Sequence, residues 1–236
     1  TKLEDAADSI NGKATIAIGP YATPKTFGWI KDNYSGKHVS MPMPMGIEKT
    51  DDFIMKVAEL FGREVPASLK NERGRAVDAI TDSHQYIHGK KFAVYGDPDY
   101  LTGYVSFLLE MGARPHHILC SRGSKKLEKE LQALLDGSMY GQGCTIYMNK
   151  DLWHLRSLLM TDPVDAIIGD SHGKFACRDA GIPLFRFGFP IFDRVNKHRY
   201  PIVGYQGVIN MVTEICNKFI DIKDETCEDR FFELMR

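Results

Sequence analysis

Asp78 and Asp82 lie four residues apart in ERGRAVDAITDSH, a helix-like stretch, and like charges at that spacing repel unless water or a cation separates them. Two chemistries are open to such a pair. It can supply part of the oxygen shell of a hard divalent cation, which takes roughly six to eight ligands. Alternatively it can lie on a solvated helix face, with Arg75 pairing Asp78 one turn away. Spacing alone favours the solvated face, because two carboxylates leave most of a cation shell unfilled. The helix that carries them is expected from Pro66 to His88, with Val77, Ile80, His84 and Ile87 as its apolar stripe and both aspartates on nearly the opposite side.

The other residues with chemical potential are weaker signals. Gly96-Asp97-Pro98-Asp99 and Gly169-Asp170-Ser171-His172-Gly173 follow strand-like runs, where doubly wound sheets place ligands. Neither segment has a dinucleotide or Walker-type fingerprint. Ser171 could act as a nucleophile with Asp193 and His198 as orienter and base, but a strand-to-helix turn in which Ser171 caps the next helix is the stronger reading. Strand alternation is expected to send His116 and His117 to opposite faces, which prevents them from chelating one ion together. Cys120, Cys144, Cys177, Cys216 and Cys227 are scattered with no C-x-x-C pair, so neither a disulfide framework nor a cysteine-only metal site is expected. Cys120 reads as a small buried hydrophobe.

These residues need a frame, and the second part of the chain supplies one by alternating apolar runs with amphipathic segments. Strands are expected at 91 to 96, 116 to 120, 144 to 148, 165 to 169 and 183 to 188. Helices fall between them at about 100 to 112, 124 to 137, 151 to 161 and 173 to 180, with a long one at about 204 to 222. In 185 to 194, Phe185, Phe187 and Phe189 alternate as a buried strand would, while Arg186, Asp193 and Arg194 need partners. The fold class is therefore α/β: a Rossmann-like doubly wound parallel sheet domain over residues 90–236, preceded by part of a second α/β domain with connecting helices over residues 1–89. That first part has one clear strand, 14 to 19, then a helix from Pro24 to Tyr34, the stretch MPMPMG, and a helix from Thr50 to Phe61.

Composition narrows the function classes. The 236 residues carry 30 basic and 31 acidic side chains, a net charge of -1, without the basic footprint of a nucleic-acid binder. No apolar run approaches the ~18 residues of a membrane span, and TKLEDAADSING is unlike a signal peptide, so a cytoplasmic location is expected. Thr1 opens directly on a helix-like segment, which suggests upstream sequence.

Taken together, ERGRAVDAITDSH, HGKKFAVYGDPD, FLLEMGARPHHILC, DLWHLRSLLMTDPVDAIIGDSHGKF, RFGFPIFDR and GYQG resemble, in order, the β chains of the nitrogenase component 1 family. The likeness extends to FFELMR, and LEDAADSINGKATIAIGPYATPKTFGWIK resembles the family's middle domain, including that of the alternative enzymes. The resemblance implies the C-terminal portion of a subunit in an α₂β₂ enzyme that reduces N₂ to ammonia with electrons from an ATP-dependent iron protein. It implies an α chain and a second β chain as partners, with no nucleic acid and no membrane. It further implies a complex holding a P-cluster [8Fe-7S] and an iron-molybdenum, iron-vanadium or iron-only cofactor, none bound by this segment, whose own part is scaffold and interface. No catalytic residue is expected within the segment. Asp78 and Asp82 match the family's Asp-x-x-x-Asp, which implies half of a divalent cation site bridging two β chains. Asp170-Ser171-His172-Gly173-Lys174 stands where relatives carry Asn-Ser-Tyr-Gly-Lys, and there is no insertion between Cys177 and Phe185, where the best-known molybdenum β chains are longer, which leaves the metal type open. A homologous cofactor-assembly scaffold, a binding module without turnover, is the alternative.

Overall fold

A computed structural model of the chain describes residues 12–228. Its centre is a sheet of five parallel strands: β3 (Lys91–Tyr95), β4 (Arg114–Cys120), β5 (Thr145–Met148), β6 (Ala166–Gly169) and β7 (Leu184–Arg186). Their spatial order is β5-β4-β3-β6-β7, so the winding direction reverses beside β3. Helices α4 (Pro98–Glu110), α5 (Lys125–Asp136), α6 (Leu152–Thr161) and α7 (Lys174–Ala180) make the crossovers, and α8 (Gly204–Thr226) closes one face.

The apolar content of KFAVY explains why β3 is central. Phe92 and Val94 enter one core with Leu101, Tyr104, Ile118, Phe185 and Val208, whereas Ala93 and Tyr95 enter the other with Leu119, Leu155, Ile167 and Cys177. A strand buried on both faces reads as a continuous apolar run, and the alternation assigns successive side chains to opposite layers. Helix starts follow local chemistry where the sequence provides it. Ser124 Oγ accepts from Leu127 N at 3.2 Å, and Asp151 Oδ1 accepts from His154 N at 2.9 Å. No helix among the described residues is long and apolar enough to cross a membrane.

The N-terminal part departs from expectation in two places. MPMPMG starts on the last residue of a strand the pattern did not reveal, β2 (Lys37–Met41), which pairs in parallel with β1 (Ala14–Ile18) across helix α1 (Pro24–Asn33). Helix α2 (Gly46–Phe61) begins four residues before Thr50, because a distant side chain caps it: the Glu110 carboxylate accepts from Ile47 N at 2.8 Å and Glu48 N at 3.0 Å. Gly62, at φ +59°, ends the same helix in the left-handed region.

Helix α3 (Ala67–Ile87) packs along α8, and of its expected stripe Ile80 and Ile87 face inward while Val77 and His84 do not. Ala76 and Ile87 are buried, with Ala79, Ile80 and Tyr86 packed beside them, while Val77 and His84 are exposed. Small residues on the inner face explain the difference: Ala76, Ala79 and Ser83 let α8 approach, and Cys216 Sγ reaches Ser83 O at 3.7 Å. Ile80 and Ile87 mark the inner face as expected, and the small residues beside them complete it in place of Val77 and His84.

Candidate functional site

On α3, the outward face carries both aspartates. Asp78 and Asp82 are exposed, and the expected Arg75–Asp78 pair is replaced by Arg75 Nη1 with Glu72 Oε1 at 3.2 Å. Neither aspartate is held by an intrachain hydrogen bond or ion pair among the described residues. An exposed carboxylate pair on a helix anchored from behind fits a partial oxygen shell, and any further ligands must come from outside the described residues.

The strand-end loops come together as the topology requires. Tyr95, Gly96 and Asp97 from the end of β3 line a cavity of about 280 Å³ together with Asp170, His172, Phe189, Pro190, Lys150 and Asp151. Its glycines serve packing. Cβ atoms at Gly169 and Gly173 would stand 2.2 Å and 2.5 Å from the Tyr95 side chain, so both glycines make room for that ring. The Tyr95 hydroxyl donates to Asp170 O at 2.6 Å and accepts from Gly173 N at 2.8 Å and Asp170 N at 3.1 Å. Burial, followed by the nearby Asp170 charge, pushes the phenol far above its ordinary pKa, so it remains protonated. Asp99 is committed as well, accepting from Tyr21 N at 3.0 Å and Ala22 N at 2.8 Å.

Ser171 is fully buried, and its hydroxyl donates to Asp193 Oδ1 at 2.5 Å while accepting from Phe192 N at 3.1 Å. Arg186 grips the same carboxylate with Nε at 2.8 Å and Nη2 at 2.7 Å. That guanidinium hydrogen bond, aided by Ser171, holds the Asp193 carboxyl well below the usual range. A serine bonded to a fixed carboxylate and sealed from solvent has no general base and no access to substrate. No hydrogen bond joins His198 to either residue among the described residues. The capping role belongs to Asp170, whose Oδ1 accepts from His172 N at 2.8 Å. Phe185 and Phe187 are core residues, but Phe189 is 67% exposed because sheet pairing ends at Arg186 and the chain turns away at Gly188.

The histidine expectation is overturned. Between β3 and β4, Phe92 pairs with Pro115 and Ala93 with His117, which leaves His116 of β4 as an extra residue in a bulge. The bulge cancels the alternation, so the two rings lie together, 4.5 Å between centroids. His116 Nε2 is 2.6 Å from Asp162 Oδ2, and His117 Nε2 is 2.9 Å from Asp162 O. The readable signal was Pro115, since a proline inside a central strand occurs essentially at bulges.

The five cysteines are free thiols at separate places in the fold. Burial raises the pKa of Cys120 and Cys216, takes Cys144 to about 11, and takes Cys177 to about 12. Among the described residues no three of these cysteines gather into a group that could ligate one centre, so they do not make the thiolate set of an iron–sulfur cluster.

With this geometry in view, likeness over the whole chain becomes decisive. Residues 1–220 match the family described as nitrogenase component 1 type oxidoreductase. The chain belongs to that family. It is 49% identical over 241 aligned positions to the nitrogenase molybdenum-iron protein beta chain of Nostoc sp., covering 100% of this chain and 47% of that one. It is 50% identical over 222 positions to the corresponding beta chain of Bradyrhizobium diazoefficiens, covering 94% of this chain and 42% of that one. The structure of nitrogenase Cp1 at pH 6.5 superposes with a TM-score of 0.93 at 35% identity, over 98% of this chain and 50% of that chain. The chain thus spans about half the length of the nitrogenase relatives it matches, corresponding to their C-terminal half. Both the family resemblance and the Rossmann-like fold class read from the sequence are borne out.

Proposed function

We propose that this chain is the C-terminal part of the β subunit of a nitrogenase component 1, the enzyme that reduces N₂ to ammonia with electrons from an ATP-dependent iron protein. Within that subunit it acts as scaffold and interface for an α chain and a second β chain in an α₂β₂ complex of the cytoplasm. The observation that carries this reading is 49% identity extending over the entire chain to a molybdenum-iron protein beta chain. The committed state of the polar groups supports a structural role. Ser171, Asp193, Asp99 and Tyr95 are each engaged in internal hydrogen bonds that hold loops in place. The P-cluster [8Fe-7S] and the substrate-reducing cofactor of such a complex draw on residues outside this chain.

The chain divides, in this proposal, at residue 89, with a partial middle domain and connecting helices before it and the Rossmann-like domain after it. On the outer face of α3, Asp78 and Asp82 form half of a divalent cation site between β chains. The test of the main reading is complementation. The full-length gene, expressed with its α partner in a diazotroph lacking its own β chain, should restore acetylene reduction and growth on N₂. A protein that co-purifies with cofactor precursors yet restores neither would be an assembly scaffold, and the reading would fall.

A further inference from the structure

The bulge in β4 does more than bend a strand. It places two imidazoles and one carboxylate so that a nitrogen from each ring and one carboxylate oxygen all lie within 4.8 Å of one another. We propose that His116 Nε2, His117 Nε2 and Asp162 Oδ2 form a binding site for a borderline divalent transition metal such as zinc. The site is separate from the Asp78–Asp82 pair and does not depend on the nitrogenase reading.

The donor set argues for the class of ion. Two imidazoles with one carboxylate suit zinc and its first-row neighbours, whereas magnesium and calcium prefer oxygen alone. Distances argue for fit. His117 Nε2 already stands 3.7 Å from Asp162 Oδ2, close to the separation of two ligands around a tetrahedral ion with bonds of about 2.0–2.2 Å. His116 Nε2 stands at 2.6 Å from the same oxygen, a hydrogen bond that must open by under an ångström to admit the ion. Asp162 is 49% exposed and lies at the end of α6, so it can make that adjustment, while His117, at 2% exposure, is fixed by the core. His117 Nε2 donates to the Asp162 carbonyl at 2.9 Å, so taking the ion there moves the ring proton to Nδ1, a buried nitrogen with no hydrogen-bond partner among the described residues.

The surroundings also predict a limited affinity. Lys91 Nζ lies 4.0 Å from Asp162 Oδ1, so an ammonium flanks the site and leaves only Oδ2 as a ligand oxygen. Entry of the ion also displaces the bond between His117 Nε2 and the Asp162 carbonyl. Three protein ligands with a half-exposed aspartate leave at least one position to water, the arrangement of an open site.

The experiment is equilibrium dialysis of radioactive zinc against the chain in its native assembly after chelator treatment. Unaltered protein should bind one zinc per chain that the His116→Gln/Asp162→Asn double variant loses, with affinity falling at least tenfold. The Asp78→Asn/Asp82→Asn variant should keep that zinc. Equal zinc binding by the unaltered protein and the first variant would overturn the proposal. Should that variant fail to assemble, diethyl pyrocarbonate labelling of the unaltered protein decides instead. Zinc must then protect His116 and His117, read by peptide mass, and equal labelling with and without zinc overturns the site.

Discussion

The hydroxyl of Tyr95 accepts a 2.8 Å hydrogen bond from the amide of Gly173, and a Cβ on that glycine would stand 2.5 Å from the same oxygen. One residue thus needs the other to have no side chain. The Gly-Asp-Ser-His-Gly turn, which invites a catalytic reading, is a seat for a tyrosine ring.

Tyr95→Phe leaves the amides of Asp170 and Gly173 without their acceptor in a buried place, at a cost of about 2 kcal/mol. Gly173→Ala forces the ring to shift and costs about 1–3 kcal/mol by overpacking. Both effects trace to one contact, so the double variant should cost clearly less than the sum of the singles. Urea unfolding of the four proteins measures this, and strict additivity would contradict it.

The Arg186–Asp193–Ser171 cluster makes a prediction with a sign. Asp193 has its pKa depressed in the folded chain, chiefly by the Arg186 hydrogen bond. Its stabilisation is therefore fully present above the unfolded carboxylate pKa of about 3.9 and lost as pH falls toward the folded value. Asp193→Asn should cost about 2–3 kcal/mol at pH 7, short of the full penalty for a buried pair because 11% of the Arg186 side chain and 15% of the Asp193 side chain remain exposed. The gap between unaltered and variant protein should stay constant from pH 7 to about 5 and shrink only below about 4. Thermal unfolding across that range is the measurement.

Legibility followed the physics of each element. The five strands and their crossover helices were readable because β3 through β7 sit in a sheet whose apolar runs and turn glycines are local signals. The start of α2 was not, since its cap is Glu110, more than sixty residues away. β2 was hidden because KHVSM shows no clear alternation and rests on β1 for its pairing. At the candidate sites, the outward direction of Asp78 and Asp82 was legible from helical periodicity. The meeting of His116 with His117 was not, because period-two reasoning fails wherever a bulge inserts a residue. Asp162, which completes that group, comes from a turn remote in sequence, and no spacing rule would have joined it to the histidines.

Buried thiols should react slowly and without a plateau at moderate pH. Cys177, pushed up to about 12, and Cys144, pushed up to about 11, hold almost no thiolate at pH 8. Iodoacetamide labelling of these two residues, followed by peptide mass, should increase roughly tenfold per pH unit from 8 to 9.5 in the folded chain. A plateau below pH 9 at Cys177 would show a reactive thiolate and contradict the upward shift that burial imposes.

The carboxylate pair on α3 can be tested through assembly. If Asp78 and Asp82 are half of a cation site between two β chains, the 236-residue chain alone should hold a divalent cation weakly, because two carboxylates leave most of the oxygen shell to water. In the complete complex, ligands from the second β chain close the shell, and the cation offsets the repulsion between the aspartates. Asp78→Asn with Asp82→Asn should then weaken association of αβ halves by more than the ~0.5 kcal/mol expected for a change on a solvated surface. Chelator should weaken the unaltered complex and leave the variant unaffected, since the variant has already lost the ion. Both aspartates are exposed on a helix held from behind by Ala76, Ile80 and Ile87, so each half should remain folded. Analytical ultracentrifugation of both proteins with and without chelator measures the outcome. Equal dimer-of-dimers stability in all four conditions would make the pair a solvated face and nothing more.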